Sequence, residues 1–91
     1  MEKEIKLVLT EDKDIDIYVN NKLKLKIQRD KREINAEAIY NIFDYKRGDR
    51  YNIVTENIPN NDIPVLEFLK SLFIEINKGI ENEIVKEHEE L

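Results

Sequence analysis

Apolar and polar residues alternate at a period of two in three segments near the start of the chain. Ile5, Leu7 and Leu9 fall in phase within Glu4 to Thr10, Ile15, Ile17 and Val19 within Ile15 to Val19, and Leu23, Leu25 and Ile27 within Lys22 to Gln28. Successive side chains of a strand point to opposite faces, so each segment predicts a half-buried strand. The third is the most regular: Lys22, Lys24 and Lys26 alternate with the aliphatic residues and should stand on an open, cationic face.

Parity also predicts the pairing. Around the polar loop Thr10 to Asp14, Leu9 meets Ile15 and Leu7 meets Ile17. A two-residue turn at Asn20-Asn21 would set Val19 against Lys22 and Ile17 against Lys24, mixing the faces. A three-residue loop, Asn20-Asn21-Lys22, instead pairs Val19 with Leu23, Ile17 with Leu25 and Ile15 with Ile27, and places Asp16 by Lys26 and Tyr18 by Lys24. A bulge in one strand would restore the same phase, so the turn type stays open. The result is a three-stranded antiparallel meander.

The period changes after Arg32. Asn35 reads as a helix N-cap, Ile34 and Ile39 as a hydrophobic staple, and Ile39, Ile42 and Phe43 recur at helical spacing, predicting a helix from Ala36 to about Lys46 that stops at Gly48. Tyr51 to Thr55 predicts a fourth strand. Asp62 caps a long second helix, with Pro64 tolerated in its first turn. If it runs from Ile63 to Lys86 it is about 36 Å long, against about 30 Å for a compact domain of this size. Residues 87–91 should fray. The expectation is one α+β domain, residues 1–91, of order β-β-β-α-β-α, with the long helix packed on the apolar face of the sheet.

Composition then narrows the function. The chain has 91 residues, no cysteine and 38% charged residues. Disulfides, thiolate nucleophiles and zinc-thiolate sites are excluded together. The N-terminus has no apolar stretch of a signal peptide, no membrane contact is expected, and the cytoplasm is the expected location. Abundant Ile, Lys, Asn, Glu and Tyr follow A/T-rich codons, a hint of a low-GC bacterium, its phages or mobile elements.

Charge is unevenly placed. Residues 1–50 carry 12 Lys/Arg against 11 Asp/Glu, net +1, and residues 51–91 carry 3 against 9, net -6, which sum to the overall -5. Two cationic groups stand out, the lysine strand and the frame Tyr45-Lys46-Arg47-Gly48-Asp49-Arg50-Tyr51, where arginine forks and tyrosine faces suit phosphate and base. A solvated helix end explains the same letters.

Other motifs dissolve on inspection. Asp12, Asp14 and Asp16 begin like a calcium loop, but Ile17 and Leu23 stand where it needs glycine and glutamate. His88 is the single histidine and lies in the acidic tail. Ser71, Thr10 and Thr55 have no histidine at a defined spacing for nucleophilic chemistry. The expectation is therefore a non-enzymatic binding protein without cofactor or metal, in the manner of a phage or mobile-element modulator. It would hold an anionic small molecule such as a nucleotide, or inhibit a host protein, through Tyr18, Lys24, Lys26, Tyr45, Lys46, Arg47, Arg50 and Tyr51.

Two alternatives run beside it. One is a structural or antitoxin-like interaction subunit acting through the long helix. The other is an acidic nucleic-acid mimic built on glutamates such as Glu67, Glu75 and Glu81; direct nucleic-acid binding is not expected. The long helix is apolar on more sides than one sheet can cover, which predicts a homodimer or higher homo-oligomer through Leu66, Phe68, Phe73, Ile76, Ile80 and Ile84.

Overall fold

The computed structural model describes residues 2–42 and 50–89, with side chains at all of these except 40 and 81–89. Three antiparallel strands, β1 (Glu2–Leu9), β2 (Ile15–Val19) and β3 (Lys22–Ile27), are followed by a 3-10 turn at Arg29–Lys31 and a short helix, α1 (Ala36–Asn41). A fourth strand, β4 (Arg50–Glu56), and a long helix, α2 (Ile63–Glu89), complete an α+β fold. The strand order is β3-β2-β1-β4. β4 lies parallel to β1, so the sheet is mixed.

One face of the sheet is dry. Ile5, Leu7, Leu9, Ile15, Ile17 and Ile27 form the core with Ile39 of α1 and Val65, Leu69, Leu72 and Ile76 of α2. The expected β1–β2 register holds, with Leu9 opposite Ile15 and Leu7 opposite Ile17. The polar loop between them closes on itself: Thr10 N donates to Asp14 O at 2.9 Å, and Asp14 N donates to Thr10 Oγ1 at 3.1 Å.

The β2–β3 hairpin corrects the expected loop. Asn20 and Asn21 both have positive φ, 51° and 68°, as a two-residue type I′ turn requires. Val19 therefore faces Lys22 and Tyr18 faces Leu23, while Ile17 faces Leu25, Asp16 faces Lys26 and Ile15 faces Ile27. Lys24 is the extra residue of a bulge that restores phase further along. Its consequence is that Leu23, expected in the core, lies 51% exposed. The exchange is tolerable because β3 is an edge strand, where one leucine can leave the core while the favoured turn geometry is kept.

The helices begin where the caps predict. Ala38 N donates to Asn35 Oδ1 at 3.1 Å and Val65 N to Asp62 Oδ1 at 3.3 Å. Ile34 is partly buried against the core cluster to which Ile39 belongs. The expected extension of α1 to Lys46 and its stop at Gly48 fall on residues 43–49, outside the described residues. α2 continues to Glu89, three residues past the expected end, and its 27 residues span about 40 Å. The eight residues of β1 span about 26 Å, so the helix outruns the sheet. Among the described residues, no helix is long and apolar enough to cross a membrane.

Candidate functional site

The outer face of the sheet carries the lysine strand, and its chemistry follows from the register. Lys26 lies across from Asp16, with Nζ 2.9 Å from Oδ1 and 4.0 Å from Asp14 Oδ2. The Asp16 side chain is only 10% exposed, so this carboxylate sits against its cation largely shielded from water. The contact with Asp16 is the main cause holding the Lys26 ammonium above its ordinary pKa of 10.5; burial opposes it, and the charge of Asp14 adds to it. Next along the sheet, Leu23 stands opposite Tyr18, Tyr18 opposite Lys6, and Lys6 beside Val54. Lys24 sits exposed on the bulge. The face is thus a mixture of neutralised charge, apolar patches and scattered lysine.

The described part of the second cationic group, Arg50 and Tyr51, does not join the first. Tyr45, Lys46 and Arg47 lie outside the described residues. Arg50 and Tyr51 begin β4, at the opposite edge of the sheet from β3. Lys26 is in row with Asp16, Val8 and Glu56, which puts Arg50 six residues, about 20 Å, further along the sheet. Tyr51 also belongs to the other face, packed against the core with the Nζ of Lys3 6.0 Å from its ring centre. Lys24 and Lys26 therefore do not share a face with Tyr51.

Arg29 and Arg32, just beyond the lysine strand, work on the fold. Arg29 N donates to Asp14 Oδ1 at 3.0 Å and Arg32 Nη2 donates to Lys13 O at 3.0 Å. These bonds tie the end of β3 to the β1–β2 loop. Asp14 and Asp16, two of the three acids of the calcium-like spacing, are engaged by Arg29 and Lys26. Among the described residues, no group of three or more His, Cys, Asp or Glu is placed to hold a metal ion.

α2 divides the expected interface residues by burial. Ile76 is fully buried in its own chain and is removed from any outer surface, whereas Leu66, Phe68, Phe73 and Ile80 are half-buried. The side chain of Ile84 lies outside the described set. Ile63 and Ile74, not among the expected interface residues, are 58% and 55% exposed. Leu66, Phe73 and Ile80 recur every seven residues, and with Ile63 they occupy about 100° of helix arc beside the core-facing stripe. Across from them, Thr55 at the end of β4 and Ile58 complete an open groove of about 620 Å³, lined also by Leu69 and Lys70.

Sequence reasoning missed Thr55, Ile58, Ile63 and Lys70 as a group. The helical spacing of Ile63, Leu66 and Phe73 was a readable signal, but the strand end that faces them became visible only through the sheet order. Compared with protein-family models, curated proteins and solved structures, the chain matches none.

Proposed function

We propose that the chain is a non-enzymatic protein-interaction module whose working surface is the edge of β4 together with the adjoining flank of α2. The observation that carries this reading is the groove between them, where Ile58, Ile63, Leu66 and Phe73 converge at the surface with few charges among them. Apolar residues collected in one exposed concavity are costly in water and gain free energy when another protein covers them. The anion-holding reading draws less support, because Lys26 is engaged by Asp16 and Asp14 and, among the described residues, Lys24 and Arg50 lie on opposite edges of the sheet.

The test is photo-crosslinking in cells with benzoylphenylalanine placed either at Phe73, on the flank, or at Lys24, on the lysine strand. Discrete adducts from position 73, to another protein or to the chain itself, are the expected result. Adducts from position 24 alone would move the working surface to the lysine face.

A further inference from the structure

The two edges of the sheet are built differently. β3 carries three lysines and a bulge at Lys24, devices that keep an edge from pairing with another strand. β4, Arg50-Tyr51-Asn52-Ile53-Val54-Thr55-Glu56, has none of them: no proline, no glycine, no lysine, and an unbroken register with β1 from Arg50 to Glu56. Its charges stand only at its two ends and have opposite signs. Among the described residues, no strand pairs with its outer edge.

We propose that this edge pairs with the β4 of a second copy of the chain, antiparallel about a two-fold axis at Ile53, to make one continuous eight-stranded sheet. The proposal rests on the reading of the β4–α2 flank as the working surface and names its partner. Ile53 then faces its own counterpart, Tyr51 faces Thr55, and Arg50 of each copy faces Glu56 of the other. Arg50 and Glu56 are six residues apart, hence on the same face, and both are exposed. Two cross-strand ion pairs bracket Asn52 and Val54 on the outer face, while Tyr51, Ile53 and Thr55 meet on the core-side face. A parallel arrangement would set Arg50 beside Arg50, and a slip of two residues would lose both pairs, so the charges select direction and register together.

The same axis serves the helix flank. α1 borders β3 through Leu25, Ile27 and Ile39, α1 packs on α2, and α2 borders β4 at Thr55, so α2 covers the β1–β4 half of the sheet. With strands about 4.8 Å apart, a two-fold beyond β4 brings the two α2 helices to about 10 Å, an ordinary packing distance. They run antiparallel, and a pair centred on Phe73 sets Leu66 of one copy against Ile80 of the other. The groove closes on itself by an isologous contact.

The experiment is sedimentation of the full chain at about 10 µM with charge-swapped variants, each checked for folding by circular dichroism. The wild type is expected to be a dimer. Glu56→Arg alone, whose neighbour on β1 is Val8, sets like charges together twice and is expected to weaken the dimer by about tenfold or more. Arg50→Glu alone should do the same. An equimolar mixture of the two single variants should form a heterodimer that neither forms with itself. That rescue cannot arise within one chain, since residues 50 and 56 lie about 20 Å apart along the strand. A wild-type monomer, or single variants that dimerise as well as the wild type, overturns the proposal. A monomer that still crosslinks to another protein from position 73 leaves the interaction reading standing without this partner.

Discussion

Leu23 stands opposite Tyr18 on the outer face of the sheet, while Leu25, two residues on, stands opposite Ile17 and packs against the core. In an unbroken strand the two leucines would share a face, and the bulge at Lys24 separates them. Leu25→Asp is therefore expected to cost about 3 kcal/mol or more by forcing a charge toward the packed side. Leu23→Lys should cost no more than about 0.5 kcal/mol, the usual range for a surface change. Urea denaturation of both variants checks the ranking, and equal destabilisation would misplace the bulge.

The Asn20-Asn21 turn makes a second prediction. Asn20 accepts a hydrogen bond from Glu4 N on its Oδ1 at 3.0 Å, and its own N donates to Glu4 O at 2.9 Å. Asn20→Ala removes the side-chain bond and places alanine at positive φ, an expected loss of about 1–2 kcal/mol. Asn21→Gly, at φ 68°, should be neutral or stabilising, and Asn21→Val should cost more than Asn20→Ala because a β-branched residue fits that region poorly. Thermal melts of the three variants measure the order.

Lys26 gives a pH dependence with a defined sign. Its folded pKa is raised above the ordinary 10.5, first through its contact with Asp16. The associated stabilisation is fully present below the unfolded value and is lost as pH rises through the higher folded value. The stability gap between wild type and Lys26→Met should be constant near neutral pH and shrink in the alkaline range above 10.5. Paired denaturation curves across that range test this, and a gap that widens would contradict the assigned contact.

The N-cap of α2 makes a fourth. Asp62→Ala removes the acceptor for Val65 N and should cost about 1 kcal/mol, within the usual range for a cap. Because Val65 is buried beside the start of the groove, amide exchange should quicken in the first turn of α2 before it does in β1. Uniform acceleration across the chain would mean that the helix start is no weaker than the sheet.

Much of the architecture was legible in the chain because its causes are local. The period of two in β1 and β2 dictates which side chains share a face, and parity around the Thr10 to Asp14 loop is enough to pair Leu7 with Ile17. Asn35 and Asp62 announce their helices because a side-chain acceptor before an apolar helical repeat satisfies amides that nothing else in the first turn can. The contact of Lys26 with Asp16 was readable from register alone.

What the tertiary structure decided depends on distances along the chain that local pattern does not encode. Hairpin twist favoured a two-residue turn over an unbroken apolar phase, and an edge position let Leu23 pay for it with exposure. The parallel placement of β4 beside β1 set Arg50 far from the lysine strand and turned Tyr51 to the core face, dividing a site that composition had drawn as one. That same placement put β4 at the edge of the sheet beside the half-buried flank of α2, because the sheet order, fixed by packing across the whole core, determines which strand, among the described residues, has a strand neighbour on one side only.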